Sequence, residues 1–244
     1  MSTAVEMPPA KPATPQSVTL LSAVLQFTVA SVSMMLGNKL AVNALTLPCT
    51  LVIIQAFGTL ILLGFCRSQI QPMRVDIAQQ WLPIAILFTL MLYTSLKSFV
   101  YVNVSTVLIF RNIGAILTTI VEYYVRGVTV NTPIVCSELL IVFGAILYGH
   151  GSANFSWVGF FWIMVNICGQ VSYGVLLKHQ MDVNQHIKEM SKFTMSLYNN
   201  TLALPLLTIV MVVQGEHVLV LPYIENVTAW GWGVIVATCF FGFL

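Results

Sequence analysis

The sequence predicts an all-α membrane protein, a polytopic helical bundle with about eight transmembrane helices. Of its 244 residues 58% are hydrophobic and only 7% are charged, far below the ~25% charged content typical of soluble domains. The apolar residues also fall in long runs, near 18–37, 47–66, 81–101, 104–123, 133–150, 156–177, 195–214 and 229–244. Crossing a hydrocarbon core ~30 Å thick takes ~20 residues of helix. A transmembrane barrel would instead show short strands of alternating polarity.

Residues 1–17 carry four prolines and no strong apolar run, which reads as a disordered cytosolic tail ahead of a transmembrane domain at 18–244. The stretch that follows is too long for a signal-peptide core and lacks a small-residue cleavage site, so it is read as the first span. In that span Ser22, Gln26, Ser33 and Gly37 recur on one helical face, and Lys39 closes it. Span two places Gln55 in mid-helix. Span three carries Tyr93, Lys97 and Tyr101 at four-residue steps, an ammonium flanked by two phenols that could hold an anion and stack a ring.

Span four sets Arg111, Ala115, Thr118 and Glu122 on one face. A charge at mid-helix costs ~2.5–3.5 kcal/mol on insertion scales. Arg111 is therefore read either as a structural group, snorkelling or paired with Glu138, or as a substrate contact. Span six repeats a polar face with Asn166, Gln170 and Tyr173, for which interhelical hydrogen bonding is a sufficient explanation. Spans five and eight are nearly all apolar. In span seven Asn199 and Asn200 lie side by side after Tyr198 in the stretch Ser196-Leu197-Tyr198-Asn199-Asn200-Thr201-Leu202-Ala203-Leu204-Pro205. An unpaired amide costs ~4–8 kcal/mol on transfer to an alkane-like medium, so this pair is expected to face a partner or a ligand.

Charge distribution sets the orientation. Lys11, Arg67, Arg74, Arg126, Lys178, Lys188 and Lys192 fall at the N-terminus or in the second, fourth and sixth connections. Positive charge marks the cytoplasmic side, so the N-terminus is read as cytosolic. The connection after span seven, with Glu216 and Glu225, then lies on the far side. The sequons at Asn103, Asn154 and Asn226 fall on that same side. Cys49, Cys66, Cys136, Cys168 and Cys239 form no C-x-x-C pair, so they are read as small core residues and not as a zinc or disulfide framework.

Polar faces on spans one, three, four, six and seven point to a central cavity, because helices that only pack would use small residues and few ionisable groups. Lys39, Lys97 and Arg111 make that cavity cationic, and its tyrosines suit a planar ring. A nucleotide meets both demands.

Tyr198-Asn199-Asn200-Thr201-Leu202-Ala203-Leu204-Pro205 resembles the F-Y-N-N segment and following L-A-L-P stretch of Golgi GDP-mannose transporters, the nucleotide-sugar branch of the drug/metabolite transporter superfamily. Further matches are spread along the chain. Asn38-Lys39 resembles the N-K ending of span one, and Phe110-Arg111-Asn112 through Glu122 is similar to the family's fourth helix. Ser172-Tyr173, Lys178 and Met181-Asp182 resemble the end of the sixth helix and its cytosolic connection.

The resemblance implies a ten-helix fold of two inverted five-helix repeats with the solute near the midplane. It also implies that Asn199 and Asn200 read guanine, with Tyr198 packed nearby, and that no cofactor or metal is required. A carboxamide offers both an acceptor and donors, matching the O6, N1 and N2 edge of the base. Leu197 stands where the family has Phe. The chain ends at Leu244 within span eight, whose 229–244 stretch makes only ~24 Å of helix, and a G-A-L-N-K motif on a ninth helix is absent. It is therefore read as C-terminally incomplete, leaving Arg111, Lys97 and Lys39 as phosphate candidates. Tyr93, Tyr101, Asn166, Gln170 and Tyr173 are read as cavity lining.

The implied function is import of GDP-mannose into the Golgi lumen in exchange for GMP, by alternating access. The alternatives are another nucleotide sugar, GDP-fucose or a UDP-sugar, and a truncated non-transporting paralogue. Expected partners are the nucleotide sugar, a nucleoside monophosphate, membrane lipid and a second copy of the chain, with no nucleic acid. An enzyme is not expected: the eight acidic residues are scattered without a D-x-D, and His150, His179, His186 and His217 show no paired spacing.

Overall fold

The computed structural model describes residues 16–127, 131–151 and 156–243. Most of the expected tail, with Lys11, and the sequon asparagine Asn154 lie outside these residues, as do the side chains of Arg126 and His150. The described residues form helices and their connections, with no strand among them. The helices are α1 (Gln16–Ala44), α2 (Pro48–Phe65), α3 (Val75–Tyr101), α4 (Val104–Arg111), α5 (Ile113–Arg126), α6 (Thr132–Gly151), α7 (Trp157–Val183), α8 (Gln185–Lys188), α9 (Lys192–Val213), α10 (Glu216–Glu225) and α11 (Ala229–Phe243).

Among them 6 stretches are long and apolar enough to cross a membrane: Leu21–Ala44, Pro48–Phe65, Val75–Tyr101, Val104–Val125, Trp157–Val183 and Lys192–Val213. Thr132–Tyr148 and Ala229–Phe240 are shorter apolar helices. Together these account for the eight expected runs. Two differences stand out. The fourth run is broken at Asn112, where i to i−3 bonds replace the helical ladder: Asn112 N donates to Ile109 O at 3.3 Å, and Ala115 N to Asn112 O at 3.1 Å. The connection after span seven is itself helical, α10, opened by Gly215 in the left-handed region at φ 72°, a conformation glycine adopts without a Cβ penalty.

The outer surface is apolar, with Phe27, Phe65, Val213 and Trp230 more than 70% exposed, as lipid-facing helices require. The interior holds two cores. Val42, Leu51, Leu96, Phe99, Ile163, Ile167, Leu207 and Ile235 join α1, α2, α3, α7, α9 and α11. A smaller cluster of Ile77, Trp81, Ile84, Ile187 and Tyr198 closes the end of the bundle that carries Arg67, Arg74, Lys178, Lys188 and Lys192. Of the five cysteines, Cys49 and Cys239 are buried, whereas Cys136 and Cys168 are exposed. The expectation that all are core residues fails for those two, because α6 and α7 each turn an apolar side outward.

Small residues let helices approach closely where α1, α2 and α11 meet. A Cβ on Gly37 would lie 2.9 Å from Thr238 Cγ2, and one on Gly58 would lie 2.8 Å from Cys239 Cβ and Sγ. At this crossing Gln55 Nε2 donates to Asn38 Oδ1 and to Thr238 Oγ1, both at 2.9 Å. One mid-helix amide thus joins three helices.

At the opposite end of the bundle, Glu216 is 6% exposed. Its carboxylate accepts from Cys49 N at 3.3 Å, Thr50 N at 3.1 Å and Thr50 Oγ1 at 3.3 Å. It therefore takes up amides that the first turn of α2 leaves unpaired, where negative charge is favoured.

Candidate solute site

Two adjoining cavities open between the helices. The first, about 300 Å³, is lined by Gln55, Ala56 and Thr59 of α2, Phe88 and Leu92 of α3, Tyr173 of α7, Ser196, Asn199 and Asn200 of α9, and Thr238 of α11. The second, about 1220 Å³, runs along α1 past Gln26, Ser33 and Asn38 to Ser95 and Phe99 of α3 and Arg111 of α4. Met34, Lys192 and Gly242 line both.

The asparagine pair sits in the wall of the smaller cavity, 5% and 6% exposed. Asn199 is held from two sides: Trp81 Nε1 donates to its Oδ1 at 2.8 Å, and its Nδ2 donates to the Tyr173 hydroxyl at 3.0 Å. Asn200 is held from one side, its Nδ2 donating to Ser196 O at 2.9 Å and to Ser196 Oγ at 3.2 Å. No donor meets Asn200 Oδ1 among the described residues, so this amide keeps an acceptor for a ligand. Tyr173 stacks at a tilt on Phe88, ring centroids 5.9 Å apart, giving the cavity an aromatic side.

Tyr198 faces elsewhere. It is fully buried and packs on Trp81, centroids 5.9 Å apart, while its hydroxyl accepts from Arg74 N at 2.7 Å. It secures the start of α3 and, through Trp81, the orientation of Asn199. Tyr198 thus supports the wall and does not line the cavity with the asparagines.

Of the three phosphate candidates, Arg111 alone lines a cavity. It makes no hydrogen bond or ion pair among the described residues, so the alternative pairing with Glu138 is not formed; Glu138 Oε1 instead accepts from Thr119 Oγ1 at 2.6 Å. Lys39 donates to Phe99 O at 2.6 Å and Val102 O at 3.0 Å, neutralising carbonyls at the C-terminal end of α3. Lys97 is half-buried and lines neither cavity.

The remaining lining candidates divide similarly. Tyr93 is buried edge-on against Trp162, with a hydroxyl that has no partner among the described residues. Tyr101 is 42% exposed on the outside. Asn166 Nδ2 donates to Met91 O at 2.6 Å and Thr94 Oγ1 at 3.2 Å, tying α7 to α3. Gln170 is exposed and outside both cavities. The structure therefore brings together Tyr173, Asn199 and Asn200 in the smaller cavity, whereas Arg111 lines the larger one.

It adds lining residues that the sequence reading left out: Asn38, Thr59, Ser95, Ser196, Thr238 and Lys192. Lys192 had a sequence signal. It stands four and eight residues before Ser196 and Asn200, on one helical face.

An all-α polytopic bundle with apolar outer faces, and with Lys192 and Arg111 lining cavities between its helices, defines the class: an integral membrane protein. Among the described residues no group of three or more His, Cys, Asp or Glu is placed to hold a metal. The chain is similar over part of its length to curated GDP-mannose transporters. It is 28% identical over 193 residues to GDP-mannose transporter GONST1 of Arabidopsis thaliana, covering 75% of this chain and 57% of that protein. To GDP-mannose transporter GONST2 of the same plant it is 30% identical over 165 residues, 66% of this chain and 44% of the relative. A GDP-mannose transporter of Scheffersomyces stipitis matches at 28% over 178 residues, 69% and 51% of the two chains. The chain spans about half the length of the curated relatives it matches. No family model matches it. The relatives are transporters, not enzymes, in line with the absence of catalytic motifs in the sequence.

Proposed function

We propose that this chain binds a GDP-sugar, GDP-mannose before others, and carries it across the Golgi membrane in exchange for GMP. The observation that supports this best is the cavity pair itself. A pocket with two asparagines and an aromatic side opens into a larger space containing an unpartnered arginine. Guanine presents N1 and N2 donors beside the O6 acceptor, and Asn200 Oδ1 is an acceptor without a partner, with Asn199 beside it. Arg111 has donors in a fixed fork that matches phosphate oxygens. No aspartate or glutamate lines either cavity among the described residues, so an anionic solute meets no like charge there.

In this reading the basic end of the bundle is cytosolic, and the cavities, which include the first turn of α9 in their lining, open toward that side. Transport then needs a second state in which the far end parts, as alternating access requires.

The test is reconstitution in liposomes with labelled GDP-mannose, with and without internal GMP. Uptake that depends on internal GMP supports exchange, and competition by GDP-fucose and UDP-sugars ranks the sugar. Asn200→Ala is expected to abolish uptake without loss of the folded protein. Normal uptake by that variant removes the base-reading role, and no nucleotide-sugar uptake by the wild type removes the transporter reading.

A further inference from the structure

Lys192 is the one cation that lines both cavities among the described residues. As the first residue of α9 it stands beyond Ser196 on the face that carries Asn200. Its distance from the asparagines along the helix axis is about 10–12 Å at 1.5 Å per residue, comparable to the separation a nucleotide puts between its base edge and its phosphates. Its ammonium has no hydrogen bond or ion pair among the described residues. The nearby carboxylate of Glu189 is engaged by Gln185 Nε2 at 2.6 Å. Arg111, by contrast, lines only the larger cavity.

On the reading of the site given above, we infer that Lys192 binds the phosphate attached directly to the nucleoside. The placement follows from the lining. A base seated between Gln55, Tyr173 and Asn200 leaves the smaller cavity at its shared boundary, and Lys192 stands on that boundary. Lys192 thereby separates nucleotides from nucleosides. Lysine suits this role because its compact ammonium on a flexible stem can follow the ligand as it enters.

The alternative occupant with the same chemistry is a lipid headgroup phosphate, reached by snorkelling. Two arms separate these sources. Affinities for guanosine, GMP and GDP are measured by ligand-induced thermal stabilisation of the purified chain in neutral detergent, then again with anionic lipid added. Lys192→Gln is expected to weaken GMP and GDP on the order of tenfold while guanosine stays within about twofold, the loss of one charge-assisted contact. Lys192→Arg restores most of the affinity. In the wild type, GMP affinity falls with added salt and guanosine affinity does not.

Wild-type GMP affinity in Lys192→Gln overturns the inference, and so does a Lys192 effect that appears only as altered response to anionic lipid. If Lys192→Gln does not fold, the comparison of Lys192→Arg with wild type and the salt dependence decide instead: a salt-insensitive GMP affinity overturns it. Asn200→Ala separates this outcome from failure of the parent reading. If Asn200→Ala weakens all three ligands while Lys192→Gln weakens none, only the role of Lys192 falls. If the wild type binds no guanine nucleotide, both fall together.

Discussion

Removing the Glu216 carboxylate should loosen α10 from α2, and the chain contains its own reporter for this. The carboxylate accepts from two amides and one hydroxyl at 3.1–3.3 Å, the long end of the hydrogen-bond range. The Thr50 hydroxyl can rotate to another acceptor, but the Cys49 and Thr50 amides cannot. An orphaned buried donor costs about 1–3 kcal/mol, and at these distances the lower half of that range applies to each. Two orphaned amides and the lost charge at a helix N-terminus, worth about 0.3–1 kcal/mol, bring Glu216→Ala to roughly 3 kcal/mol. Glu216→Gln keeps one acceptor and should cost about half as much.

Cys49 is fully buried beneath this contact, and Cys239, also buried, sits on α11 away from it. With Cys66, Cys136 and Cys168 replaced by serine, maleimide labelling of Cys49 reads the local opening equilibrium. A cost of 3 kcal/mol corresponds to a labelling rate raised by roughly a hundredfold in Glu216→Ala, since 1.4 kcal/mol is tenfold. Glu216→Gln should show about a tenth of that gain. Both variants remove the charge, so the ratio between them isolates the lost acceptor from any electrostatic effect on the thiol. The reasoning fails if Cys49 labels within about threefold of wild type in Glu216→Ala, or if Cys239 accelerates equally.

Three further outcomes are expected. Tyr93→Phe removes a buried hydroxyl that has no partner among the described residues, so thermal stability should be unchanged or raised by up to about 1 kcal/mol; a clear loss would reveal a partner for that hydroxyl. Gly58→Ala drives a methyl group against Cys239 Cβ and Sγ and should cost about 1–3 kcal/mol, seen as a lower melting temperature that Cys239→Ala partly restores. Lys39→Met leaves the Phe99 and Val102 carbonyls without their ammonium donor and should lower stability by about 2 kcal/mol. The surviving folded protein should bind GMP as the wild type does, and a selective loss of GMP affinity would return Lys39 to the phosphate site.

The spans were legible because the hydrocarbon thickness fixes run length, and the asparagine pair was legible because two adjacent amides in an apolar stretch demand a reason. Less was legible about the rest of the site. Four-residue steps show that Tyr93, Lys97 and Tyr101 share a face of α3, but not which neighbour that face meets. Tyr93 meets Trp162, and Tyr101 lies at the surface with its Cβ against Gly159 of α7. Asn166 and Lys39 look like ligand groups in one dimension, yet both are consumed by backbone carbonyls of α3. Lys192 suffered the opposite error: counted among the charges that orient the bundle, it was not weighed as part of the wall it shares with Asn200. α10 was missed because a ten-residue helix with a proline and two glutamates has no strong apolar period.

The amide of Gln55 has a mechanical consequence. It binds Asn38 and Thr238 at once, at a crossing where Gly37 and Gly58 leave no slack. Sliding any one of α1, α2 and α11 past the others would have to break a polar contact and force side chains into occupied space. These three helices therefore travel as one panel, and a change in the width of the cavity has to come from hinging between that panel and the helices that face it.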